Sequence, residues 1–242
     1  LYLFLNYERI TYIIKRQGLS DENDDYIYPI IEDNFINNEQ NSYILEAASK
    51  KFEDSVVGSG LFNEVDSEIR NSKTAWLSKT DPVIKEIIMK VCSKYNYPFE
   101  NAEDLQVVKY EEGNYYKEHH DSFPYFKSDF LFQGGHRVLT TLIYLNDNFE
   151  GGETRFVNLN KDFKPHKNTG IIFRPLNSEN KKCHPKALHA GLPVKSGIKY
   201  VTNIWIREQP FSCIINIFSF DFIFTSTIVS ICSILNSIRN II

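Results

Sequence analysis

The hydrophobic period of the chain changes at Leu105, and no other feature constrains the fold as much. Before it, apolar residues recur at helical spacing; after it, short runs of strand character are cut by Gly, Asn, Pro and Asp. Upstream, Asp81-Pro82 reads as an N-cap followed by a first-turn proline. Ile84, Ile87, Ile88 and Val91 follow at i, i+3, i+4 and i+7, which predicts a helix with one apolar stripe. An earlier helix is predicted from Asn37 to about Lys51: Asn37 and Gln40 imitate a capping box, and Tyr43, Ile44, Ala47 and Ala48 form its buried side. A strand-like run covers Tyr28 to Phe35, and downstream strands are expected at 105–110, 115–120, 137–145, 154–157, 170–174 and 199–206. Helices followed by several short strands predict an α+β domain, a double-sheet jelly roll flanked by N-terminal helices. A chain of 242 residues suffices for one such core.

One stretch within the strands carries chemistry. Tyr110 to Asp121 reads Tyr-Glu-Glu-Gly-Asn-Tyr-Tyr-Lys-Glu-His-His-Asp. His119 and Asp121 stand at i and i+2, so on extended backbone an imidazole and a carboxylate point at a common spot, while His120 faces the other way. A third ligand is available at His189, in Leu-His-Ala-Gly, if another strand carries it back across the barrel. Two neutral imidazoles and one carboxylate on one face of an iron ion leave the opposite positions open, the arrangement of non-haem Fe(II) oxygenases. Alone, a His-x-Asp pair also fits a solvated strand end. Lys199 opens the apolar run Lys-Tyr-Val-Thr-Asn-Ile-Trp-Ile, and an ammonium pointing inward from such a strand requires an anion, which a dicarboxylate co-substrate would supply. His136, His166 and His184 lack a partner at suitable spacing and read as loop histidines.

The series Tyr110, Gly113, Tyr116, His119, Asp121, then Arg137-Val-Leu-Thr-Thr-Leu-Ile-Tyr-Leu-Asn146, Gly151-Gly-Glu-Thr154, Leu188-His-Ala-Gly191 and Lys199 to Trp205 resembles the catalytic domain of prolyl 4-hydroxylases. These belong to the Fe(II)- and 2-oxoglutarate-dependent dioxygenases, and the match covers about residues 28–207. The resemblance implies a double-stranded β-helix with iron held by His119, Asp121 and His189. It assigns 2-oxoglutarate to Lys199, with the Tyr110 hydroxyl as second contact; Tyr144 and Thr141 are weaker candidates, set against ordinary strand residues. Oxygen and ascorbate are the further cofactors implied. The activity implied is hydroxylation of peptidyl proline, of the procollagen type, coupled to decarboxylation of 2-oxoglutarate to succinate. Tyr116, Arg137 and Trp205 match by position residues that contact the peptide proline; the alternative is a core Trp205 and an ion-paired Arg137. Two other functions stay open: hydroxylation of another residue or a small molecule on the same scaffold, and a non-catalytic binding or scaffold protein.

Composition narrows the partners. The net charge of -4 is spread along the chain with no dense Lys/Arg block, which argues against nucleic acid. Cys92, Cys183, Cys213 and Cys232 show no Cys-x-x-Cys spacing, and a zinc reading of Cys183-His184 competes with a plain surface loop. Residues 1–27 read as an N-terminal extension, a fragment or processed start without a clear signal-peptide cleavage site, and residues 18–26 as a solvated linker. The dioxygenase domain is expected over 28–207, with an aromatic-rich insertion at 122–136 that is either a lid or a flap packed on the barrel. Residues 208–242 form an extra tail whose apolar run 211–235 is long enough to cross a bilayer; Asp221 in its middle favours a partner-binding or mistranslated segment instead. The expected compartment is the cytoplasm, or the endoplasmic reticulum if a missing N-terminal signal or the tail directs the chain there. Nothing in the residues specifies an oligomeric state.

Overall fold

The computed structural model describes residues 17–59, 62–64, 66–123, 133–179 and 181–211. The start of the expected N-terminal extension, most of the aromatic insertion, and the tail with Cys213 and Cys232 lie outside the described residues. In chain order the described elements are β1 (Ile30–Glu32), α1 (Asn38–Ser49), β2 (Glu53–Asp54), β3 (Val57–Ser59), β4 (Phe62–Glu64), β5 (Lys73–Leu77) and α2 (Pro82–Tyr95). There follow β6 (Leu105–Tyr110), β7 (Tyr116–His119), β8 (Arg137–Tyr144), β9 (Glu150–Gly151), β10 (Thr154–Phe156), β11 (Lys161–Phe163), β12 (Gly170–Phe173), β13 (His189–Gly191), β14 (Val194–Ser196) and β15 (Lys199–Arg207).

Both helices start where local chemistry says they should. The Asn37 side chain accepts from the Gln40 backbone N–H while the Gln40 side chain accepts from that of Asn37, a complete capping box. Asp81 accepts from the backbone N–H groups of Val83 and Ile84, and Asn96 ends α2 in the left-handed region. The α2 stripe is buried as expected, at Ile84, Ile87, Ile88 and Val91. On α1 the expectation needs one correction. Tyr43 lies outward, its phenol bonded to Asp81, the N-cap of α2, and Asn41 takes the buried position with Ile44 and Ala48. A phenol with a carboxylate in reach gains more at the surface than inside.

A seven-stranded sheet in the order β1-β12-β8-β15-β6-β5-β2 is opposed by a four-stranded sheet, β11-β10-β13-β7. Every strand pairing is antiparallel, giving the expected jelly roll. Period-two alternation sorts the large sheet into two cores. Leu139 and Ile143 of β8, Leu105 and Val107 of β6, and Ala75 and Leu77 of β5 pack under the helices. Val108, Tyr110, Leu142, Tyr144 and Val201 face the other way and meet Phe156 and Phe163 of the small sheet. The functional site lies on this inner side.

Several short elements carry no period and were not expected: β2 to β5, β9, β11 and β14; β13 is the strand expected to carry His189 back across the barrel. The run expected at 28–35 contributes only the edge strand β1. Residues 18–26 are less solvated than their composition implies: Leu19 bridges Cys183, Ser20 and Tyr26 are buried, and Asp24 accepts from Asn177. Cys183 and His184 are buried rather than in a surface loop; His184 stacks on Tyr26 and caps the turn Pro185–Ala187. No helix among the described residues is long and apolar enough to cross a membrane.

Candidate metal centre

β7 and β13 are neighbours, and His119 lies directly opposite His189 in their register. Cross-strand partners share a face, so the two imidazoles project together, with ring centroids 4.3 Å apart. Asp121 follows β7 by two residues and turns its Oδ1 toward both, 3.8 Å from Nε2 of His119 and 3.8 Å from Nε2 of His189. Ligand atoms of the three residues all lie within 4.8 Å of one another, the one such grouping among the described residues.

Each imidazole is aimed by the backbone just before it. His119 Nδ1 donates to the Lys117 carbonyl at 2.8 Å, and His189 Nδ1 to the Ala187 carbonyl at 2.9 Å. A proton held on Nδ1 leaves a lone pair on Nε2, the nitrogen that faces the centre. Burial, and then the nearby His189, keep His119 well below the usual histidine range, so it is neutral at pH 7. Burial alone would push Asp121 up, but His189, His119 and Arg137 hold it at about 2. Its second oxygen is occupied: Oδ2 accepts from Thr140 Oγ1 at 2.6 Å and from Trp205 Nε1 at 3.1 Å. Two imidazole nitrogens and one free carboxylate oxygen form a donor set that would suit a ferrous ion and leave it coordination positions to spare.

Deeper in the barrel, Lys199 is 2% exposed. Its Nζ donates to the Gly152 carbonyl at 2.7 Å and lies 5.2 Å and 4.8 Å from the ring centroids of Tyr110 and Tyr144. Among the described residues no carboxylate pairs with it, and burial lowers its pKa to about 7. Gly152 is required for the approach: its φ is +65°, and a Cβ there would sit 3.2 Å from Lys199 Cδ. A buried amine with no carboxylate in contact among the described residues, only Glu153 acting on it from farther off, suits one carboxylate of a small diacid beside the Tyr110 phenol. Tyr144 lines the same space, but its hydroxyl is 2.8 Å from Thr154 Oγ1.

Thr141 does not belong to this pocket. It stands on β8 between Thr140 and Leu142, so alternation sends it to the helix side with Leu139 and Ile143, where its hydroxyl is buried without a hydrogen-bond partner. Thr140, of the same parity as Tyr144, is the β8 threonine that faces the centre.

The three residues matched to peptide contacts are brought to the centre, though each is already engaged. The Tyr116 ring stacks 3.6 Å from that of His119, with the Arg70 guanidinium 4.7 Å from the Tyr116 centroid. Trp205 is 5% exposed with its N–H committed to Asp121. Arg137 lies 3.5 Å from the Trp205 centroid and is bound by both oxygens of Glu103, at 2.7 and 2.8 Å. Arg207 completes a buried triad on the same Glu103. A register shift between β8 and β15 at Ile206/Arg207 turns Arg137 onto this side.

The remaining histidines divide. His166 is exposed near Asp147, whereas His136 is buried and bonded to Ser122. His120 is partly buried, and its Nδ1 has no partner. Glu103, Arg70 and Ser72 were missed from the sequence. Arg70 is buried with hydrogen bonds to Ser72 and Thr74, and the Tyr110 phenol lies beside Ser72 and Arg70. No spacing rule links residue 70 to residue 110.

Comparison with known proteins follows the geometry. The family model described as the 2OG-Fe(II) oxygenase superfamily matches residues 105–207. A protein of Acanthamoeba polyphaga mimivirus named "Putative prolyl 4-hydroxylase" is 46% identical over 192 residues, covering 78% of this chain and 78% of its own length. Prolyl 4-hydroxylase 1 of Arabidopsis thaliana is 31% identical over 202 residues, 74% of this chain and 69% of that protein. Among solved structures, the viral collagen prolyl hydroxylase of Paramecium bursaria Chlorella virus-1, in its 2OG complex, superposes with a TM-score of 0.58 at 31% identity. That match covers 75% of this chain and 96% of the viral one.

Proposed function

We propose, for a chain that belongs to the 2OG-Fe(II) oxygenase superfamily and within it to the prolyl 4-hydroxylases, that His119, Asp121 and His189 hold ferrous iron while Lys199 and Tyr110 receive 2-oxoglutarate. The chain is an enzyme of that class, a 2-oxoglutarate-dependent dioxygenase acting on a peptide substrate, and peptidyl proline is the residue hydroxylated. When bound, the iron with 2-oxoglutarate and oxygen supplies the oxidation of an unactivated carbon, with release of succinate and carbon dioxide; ascorbate is the family's reductant.

The protein's share is positioning and the exclusion of water. His119 and His189 present Nε2 because Lys117 and Ala187 carbonyls hold Nδ1–H. Asp121 presents one oxygen because Thr140 and Trp205 hold the other. Lys199 neutralises the distal carboxylate of the co-substrate at the bottom of an apolar chamber, where a charge-assisted contact is strong. Glu103 fixes Arg137 against Trp205, so the wall beside the metal is rigid where the peptide arrives.

The observation that carries this reading is the convergence of three ligand atoms in a barrel whose one deeply buried lysine has no acid partner among the described residues. Incubation with Fe(II), 2-oxoglutarate, ascorbate and a proline-containing peptide should yield succinate and a peptide heavier by one oxygen on proline. Asp121→Ala or His119→Ala should lower turnover by at least about a hundredfold. Unchanged turnover in either variant removes the ligand assignment, and succinate release indifferent to every peptide points to another substrate.

A further inference from the structure

β5 presents its alternate residues to opposite sides of the large sheet. Ala75 and Leu77 join the core under the helices, whereas Thr74 and Trp76 face the other way, opposite Val108 and Gln106 of β6. Val108 belongs to the barrel interior, so Trp76 stands on the face that carries the metal centre. The residues on that face are covered one after another: Thr74, Gln106 and Trp205 are 9%, 4% and 5% exposed. Trp76 is 46% exposed. A large apolar ring left uncovered on the inward side of a jelly-roll sheet marks where the chamber opens.

Trp76 is also continuous with the reacting end. Its ring centroid is 6.1 Å from that of Trp205. The Trp205 N–H reaches Asp121, and its ring carries the Arg137 guanidinium at 3.5 Å. A row of π surfaces thus runs outward from the iron ligand and ends on Trp76. Beside it, the Asn203 amide donates to Gln106 Oε1 at 3.0 Å, a polar pair adjoining an apolar platform.

We propose that Trp76 is a specificity-determining residue of the peptide site, and that its exposed ring receives a residue flanking the proline to be hydroxylated, selecting a second proline there. The assignment rests on the peptidyl-proline reading above. Proline fits the platform for three reasons. A pyrrolidine ring is compact, apolar and already ordered, so packing it on indole costs little conformational entropy. A proline-rich segment keeps its backbone carbonyls free for amides such as those beside Trp76. Aromatic surfaces adjoining polar amides are also how preformed extended peptides are held elsewhere.

The test uses two peptides with the same target proline, one with prolines flanking it and one with alanines, assayed on the full chain by mass gain and succinate release. The unmodified protein should prefer the proline-flanked peptide by about tenfold in kcat/KM. In Trp76→Ala the ratio should fall to about one, and Trp76→Phe, which keeps a ring, should retain most of it. The ratio is internal to each variant, so a general loss of activity does not imitate the effect. A ratio near one in the unmodified protein, or one unchanged in Trp76→Ala, overturns the proposal while leaving the prolyl hydroxylase reading intact. Peptide binding supplies a second readout. The chain has two tryptophans, so the emission difference between the unmodified protein and Trp76→Phe reports the Trp76 ring. If neither peptide is hydroxylated yet the proline-flanked one alone changes that emission, the activity reading fails and the platform stands.

Discussion

Asp121 is asymmetric in a way that matters for the metal. Thr140 and Trp205 converge on Oδ2, and Oδ1 alone is left to face the two imidazoles. Hydrogen bonds to the outer oxygen fix the carboxylate's rotation and would leave one oxygen for a metal, so their loss should weaken metal binding before it weakens the fold. Thr140→Val keeps the shape of the side chain and removes the donor. Fe(II) affinity, read by competition with a chelator, should fall about tenfold or more. Unchanged affinity would mean that Trp205 alone orients the group. The ligands themselves were legible in the sequence because i, i+2 spacing translates directly into a shared face. Thr140 was not, because choosing between adjacent threonines requires knowing which parity of β8 faces inward, and Arg137 at the start of that strand sits beyond a register shift that breaks the count.

At the scale of elements, helix α2 was the clearest feature to read and β5 the most obscure. The cap Asp81, the proline after it and four apolar residues at helical spacing each point to the same helix, and all are realised. β5 reads Lys-Thr-Ala-Trp-Leu, too short and too mixed for a period, and it is a strand because β6 and β2 pair with it on both sides. His189 sits on a strand of three residues for the same reason. The helices brace the large sheet from the side away from the metal, so stability and chemistry are separable along α2. Ile88→Ala opens a cavity at a fully buried position and should cost about 2–5 kcal/mol of unfolding free energy. Measured on the folded fraction, 2-oxoglutarate affinity should change little, since Ile88 belongs to the helix-side core. A large loss of affinity would show that the two cores are coupled.

For the molecule as a whole, Lys199 links folding to pH. Burial lowers its folded-state pKa to about 7 from the usual 10.5, so between those values the unfolded chain binds a proton that the folded chain does not. Stability contributed by this residue is therefore full above about pH 10.5 and is lost as the pH falls through 7. Denaturation curves of the co-substrate-free protein and of Lys199→Met should accordingly diverge toward low pH, with the variant the more stable. A constant difference from pH 6 to pH 9 would contradict a buried, titrating amine. Binding of a dicarboxylate favours the ammonium, so at pH 8 association should take up protons, seen calorimetrically as a dependence of heat on buffer.

The tethers on the two imidazoles have a consequence for how the protein acquires its iron. Each ring is clamped by the backbone carbonyl two positions earlier in the chain, so its orientation comes with the main chain and awaits no visitor. The donor atoms are thereby aimed at a common point by the backbone itself. Loading should then require stripping water from the ion rather than reorganising the protein, and the choice among divalent ions falls to the donor set and to which metal is available rather than to a change of shape.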